Sequence, residues 1–118
     1  MSTGGPGVAF SAGGRVYFLP VERLAFVAPI RETIEEHLVL ARGRVPLLPL
    51  ADRLGLPSRE DETSAIGIDG RRGFYAIKAA DVRWVEGAEA TNLEAIEPDG
   101  LWTPEEERRL FSQEAGGV

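Results

Sequence analysis

The chain contains no cysteine, which excludes disulfides, thiolate nucleophiles and sulfur-ligated metals. It has one histidine, His37, so no second imidazole exists for a metal set or a proton relay. Glu35 and Glu36 adjoin His37, but consecutive residues do not share a face of a helix or strand, and His37 reads as a solvated or loop histidine. There is also a single lysine, Lys78, and the arginines are scattered among acids. With a formal charge of -6 and a pI of about 4.8, the chain lacks the clustered cations that displace counterions from nucleic acid. No apolar run approaches the roughly 20 residues needed to span a bilayer, so no membrane insertion is expected. The opening MSTGGPG carries no charged and apolar leader, which makes the cytoplasm the expected compartment.

Further chemistry is missing. The glycines at 4, 5, 7, 13 and 14 precede no GKS or GKT, so they form no phosphate loop. Ser11, Ser58, Ser64 and Ser112 lack a Gly-x-Ser-x-Gly context. The acidic run Glu60, Asp61 and Glu62 lacks the alternate spacing of a calcium loop and reads as a solvated segment. No catalytic residue, metal or cofactor is expected, and no enzymatic turnover.

What is present is one domain's worth of chain, 118 residues with an ordinary hydrophobic fraction of 43%. Residues 1–7 read as a flexible N-terminus, 8–113 as a single domain, and 114–118 as a flexible tail. Val8 to Ser11 and Arg15 to Leu19 read as strands joined at Gly13-Gly14, since paired glycines accept the positive φ of a tight hairpin. Pro20 interrupts, and a short turn leads into a strand ending near Ala28. In Pro29 to His37, Ile30, Ile34 and Leu38 lie four apart and predict one helical face, with Glu32, Glu35 and Glu36 toward water. His37 to Ala41 is a strand. Beyond a polar loop, Pro57 to Ser64, strands are predicted at Ala65 to Ile68, Gly73 to Ala79 and Asp81 to Glu86, with a turn at Asp69-Gly70. Leu101-Trp102 reads as a strand remnant. Thr103, Pro104 and Glu106 then form the capping box of a last helix running to about Gln113.

Two stretches echo each other. GGRVYFLPVERLAFV and RRGFYAIKAADVRWV align without gaps, setting Tyr17 on Tyr75, Leu19 on Ile77, Leu24 on Val82 and Phe26 on Trp84. Each would be a hairpin followed by a bent strand, the way small barrels close their edges. Trp84 and Trp102 are expected to fill barrel cores, and an exposed one would serve as an interface anchor.

Between the two copies lies RGRVPLLPLADRLGLP, Arg42 to Pro57. It predicts a tight turn, an apolar strand broken by Pro46 and Pro49, and one helical turn ended by Gly55. This stretch resembles the central signature of CheW-like domains, the adaptor modules of bacterial chemosensory arrays. Arg42-Gly43 match the family's Arg-Gly, Val45 to Leu48 its apolar strand, and Leu54 to Pro57 its closing Leu-Gly-Leu-Pro. Pro20, Val21 and Val27 match a second family segment. The chain departs at Leu40-Ala41, where the family has Asn-Leu, at Pro49, where it has Asp, and in the shortened or rebuilt segment before Leu40.

The resemblance implies an all-β fold of two small SH3-like five-stranded barrels side by side, here with a short C-terminal helix. It implies a non-catalytic chemotaxis adaptor whose partners are a methyl-accepting chemoreceptor, a CheA-type histidine kinase and other CheW-like proteins. The departures point to retained receptor binding with kinase docking weakened or lost. The alternatives are an ordinary scaffold coupling receptor to kinase and, in another class, a small β-barrel ligand-binding module or subunit. Partner-binding residues are expected at Phe26, Val27, Arg42, Gly43, Val82, Trp84 and Val85.

Overall fold

The first hairpin forms where the glycine pair predicts it. β1 (Gly7–Ala12) and β2 (Arg15–Pro20) pair antiparallel around Gly13 and Gly14, whose φ values of 62° and 84° suit a two-residue turn. The computed structural model describes residues 5–116, with side chains through Phe111. Of the two expected flexible ends, residues 1–4 and 117–118 therefore lie outside the described residues. Gly7 already belongs to β1, and the last helix includes residues 114–116.

A 3-10 turn, Val21–Arg23, follows Pro20 and leads into β3 (Leu24–Pro29). The next segment overturns the helix expected from Ile30, Ile34 and Leu38. It is a tight hairpin of β4 (Thr33–Ile34) and β5 (His37–Leu40), turning at Glu35 and Glu36 with φ of 46° and 68°. Two consecutive positive φ values define a type I′ turn, which glycine or asparagine ordinarily occupies. The fourfold spacing was coincidental, because tertiary bonds claim this backbone. Val39 N–H donates to Glu32 O, Leu47 N–H to Glu36 O, and Ile30 N–H to Thr63 O.

β6 (Gly43–Leu48) pairs antiparallel with β5 and carries Pro46. It also runs parallel to a later strand, Gly73–Val85, through Leu47 and Leu48. The ladder ends there because Pro49 has no N–H to donate. One helical turn, α1 (Leu50–Arg53), follows, and Gly55 takes the left-handed conformation at φ 75°.

β7 (Ser64–Gly70) turns at Arg71-Arg72, two residues beyond the expected Asp69-Gly70, into β8 (Gly73–Val85). β8 is one 13-residue strand where two were expected. It bends at Asp81, φ 51°, opposite a register shift between Ala9 and Ser11 of β1. α2 (Ala88–Thr91), β9 (Glu94–Ala95) and α3 (Pro104–Gly116) complete the chain. Leu101 and Trp102, expected as strand, form a bend because their side chains turn into the core. The capping box is present: Glu106 N–H donates to Thr103 Oγ1 at 3.1 Å, and Thr103 N–H to Glu106 Oε1 at 2.9 Å.

β8 joins two lobes of one nine-stranded sheet. Its C-terminal half pairs with β1, which carries β2 and β9. Its N-terminal half pairs with β7 and β6, which carry β3, β5 and β4. The main core draws on both lobes and on α1 and α3: Phe10, Tyr17 and Leu19 meet Leu50, Ile66, Ile68, Tyr75, Ile77, Trp102 and Phe111. The second lobe has a small core of its own, where Leu38, Leu47, Ala65 and Ala76 are the buried members. The sequence echo is visible in this packing. Tyr17 and Tyr75 are buried, Val16 and Phe74 are exposed, and Leu24 and Val82 both lean on the shared core.

Candidate functional site

The seven residues expected at partner surfaces fall into two groups. Phe26, Val27, Arg42 and Gly43 belong to the second lobe, on β3 and at the β5–β6 turn. Val82, Trp84 and Val85 lie on the far half of β8, against β1.

Along β3, burial alternates residue by residue, as a strand with one covered face requires. Phe26 turns inward over Gly67, its cross-strand neighbour, and packs on the second lobe's core. Val27 turns outward and is 47% exposed. Among the described residues β3 pairs only with β7, so its other edge is open. Pro29 ends the strand, a common way to blunt an edge.

Arg42 stands in the two-residue turn between Leu40 and Gly43. Gly43 has φ 140°, and a Cβ added there would meet nothing within 4 Å, so its glycine serves backbone conformation alone. Arg42 is exposed and makes no hydrogen bond or ion pair with another described residue. Its five donors are thus available to a partner.

On β8, Val85 is only 2% exposed and packs with Ala9 and Ala90, so it cannot be a contact surface without unfolding. Val82 is half-buried against the main core. Trp84, expected in a core, is 55% exposed, whereas Trp102 is buried as expected. The difference lies in the supporting shell. Trp102 stacks edge-on with Tyr75 and Phe111, at ring separations of 5.3 and 5.7 Å, while no aromatic ring approaches Trp84 among the described residues.

A groove escaped the reading of motifs. It lies among the β4–β5 hairpin, the end of β6, α1 and α3, encloses about 450 Å³, and is lined by Ile30, Leu47, Leu48, Pro49, Lys78 and Trp102 together with Thr33, Glu36, Arg53 and Glu106. Arg53 holds its rim by donating to Glu106 and to the carbonyl of Leu101. The Arg53 guanidinium brings the Glu106 carboxyl down to about 2, with the cap bonds at Thr103 adding to the shift. Glu36 is held by Arg109 at 2.9 Å. No sequence signal marks the groove, because its walls come from segments distant along the chain.

Two acids behave differently from their sequence context. Glu62, expected in a solvated run, is buried and accepts the Gly13 N–H at 2.8 Å. It thereby fastens the polar loop to the first hairpin, while Glu60 and Asp61 remain exposed. Glu107 is buried on α3 and faces Arg71 and Arg72 at 3.4 and 3.8 Å. His37 Nδ1 lies 2.9 Å from the carbonyl of Glu35. Among the described residues no group of three or more acids or histidines is placed to hold a metal.

Two hairpin-built lobes on one long bent strand define the class of fold, which is all-β and CheW-like. Among solved structures the chain is similar to the scaffolding protein TtCheW from Thermoanaerobacter tengcongensis, with a TM-score of 0.55 and 20% identity. The likeness covers 70% of this chain and 64% of that one. No protein-family model matches the sequence, and no curated protein does. No helix among the described residues is long and apolar enough to cross a membrane.

Proposed function

We propose that this chain is a non-catalytic adaptor of a bacterial chemosensory assembly, working in the cytoplasm, that binds chemoreceptor tips and has weak or no docking to the histidine kinase. The observation that carries the reading is Arg42, an exposed guanidinium at a hairpin tip with no internal partner among the described residues, within a CheW-like fold. A planar fork with all donors free suits a carboxylate or a set of carbonyls on a docking helix. Val27, on the open edge of β3, adds apolar surface in the same lobe.

The reduced kinase contact rests on surface shape. The β4–β5 hairpin, with its two-residue turn, stands where the resemblance implies a longer connection, and exposed Pro49 stands where an acid is usual. Pairing between domains depends on strand register and loop geometry, so a rebuilt connection removes one interface without unfolding the domain. Other CheW-like proteins remain partners in this reading.

The test is a pair of separate binding measurements, with a chemoreceptor tip and with the kinase's CheW-like domain. Receptor binding with kinase binding at least tenfold weaker is the expected outcome. Equal affinities would make the chain an ordinary two-partner scaffold, and binding to neither would end the adaptor reading.

A further inference from the structure

The groove beside α3 contains one cation without an ion-pair partner among the described residues. Lys78, the chain's single lysine, is half-buried and forms no ion pair with another described residue. Its place on β8 explains its direction. It follows Ala76 by two, so it shares the face of the second lobe's core, and its cross-strand neighbour Ala65 is fully buried. Trp102 lines the same groove.

The remaining lining decides what that partner is. Ile30, Leu47, Leu48 and Pro49 supply apolar wall. Both carboxylates of the rim are already matched, Glu106 by Arg53 and Glu36 by Arg109, which leaves Lys78 as the unmatched charge. The volume, about 450 Å³, lies within the range of small-molecule sites.

We propose that this groove binds a small amphipathic carboxylate, its apolar body against Ile30, Leu47 and Trp102 and its carboxylate on Lys78. The site is independent of the proposed receptor contact at Arg42, so either can fail alone.

The test uses the full chain labelled with ¹⁵N, with sodium decanoate as the probe and decanol as its uncharged counterpart. Decanoate is expected to shift the Trp102 indole resonance saturably and to leave that of exposed Trp84 in place. Decanol, or the Lys78→Gln variant with decanoate, should bind at least about tenfold more weakly, as loss of a charge-assisted hydrogen bond predicts. Lys78→Arg should retain the preference for the acid. The proposal is overturned if decanoate leaves Trp102 unmoved, if decanol binds equally well, or if Lys78→Gln binds like the parent. A receptor-tip peptide that shifts Trp102 where decanoate does not would make the groove a protein-docking surface instead.

Discussion

The ring of Phe26 occupies the space that a side chain at Gly67 would need: a Cβ there would stand 2.2 Å from two ring carbons. The two residues are cross-strand partners on β3 and β7, and the ring covers backbone that would otherwise be bare. Gly67→Ala should therefore destabilise the fold by about 1–3 kcal/mol, as overpacking does, in a denaturant titration. Phe26→Ala should be destabilising as well, through lost packing on the second lobe's core. Any binding defect of a Phe26 variant must then be corrected for folding. An alanine at 67 without measurable cost would show that β3 can lift from β7.

Arg42 offers the cleaner probe. On the proposed receptor contact, Arg42→Ala should weaken chemoreceptor-tip binding by about 1–3 kcal/mol, the range for charge-assisted bonds. Thermal melting should hardly move, since an exposed turn residue adds little to folding. A variant that binds normally would shift attention to Val27 and Trp84.

The two tryptophans should separate spectroscopically. With Trp84→Phe, the remaining Trp102 emission should be blue-shifted and poorly quenched by acrylamide. With Trp102→Phe, the remaining emission should be red-shifted and readily quenched. Trp84→Ala should change stability by no more than roughly 0.5 kcal/mol, as is usual for surface positions. A Trp84 protected from quencher in the isolated protein would mean that its surface is already covered, for instance by a second copy.

Glu106 predicts an acid sensitivity. Its folded value is depressed from 4.5 to about 2, first by Arg53. Its contribution to stability is therefore fully present above pH 4.5 and is lost as pH falls from 4.5 toward 2. The carboxyl resonance should titrate near 2 in the parent and move back toward 4.5 in Arg53→Met. Because the pair joins α1 to α3, the same acid range should loosen the groove's rim. A Glu106 that titrates at its ordinary value in the parent would remove the ion pair from this account.

Much of this fold is readable from local chemistry. Gly13-Gly14 and the Thr103 capping box each impose their own geometry, and the apolar alternation of the two echoing stretches marks Tyr17, Leu19, Tyr75 and Ile77 as interior. The failures share a cause, which is tertiary override of local pattern. At Glu35-Glu36 the sequence carries no turn residue, so a helix is the better local reading, but neighbouring strands take the backbone bonds. At Asp81 a non-glycine residue accepts positive φ, and so one long strand looks like two. The surfaces were harder still. Motif and spacing could place Arg42 at a turn, but not Trp84 outside a core, Val85 inside one, or Lys78 and Trp102 in one groove.

The single strand common to both lobes also sets where the polypeptide can be divided. A break between Gly73 and Val85 would sever the pairing of β8 with β1 from its pairing with β6 and β7, so neither fragment would hold a complete sheet. The lobes should accordingly melt together as one cooperative unit. A split reporter or a circular permutant should succeed instead in exposed polar chain such as Ser58 to Asp61, where few ladder bonds are cut.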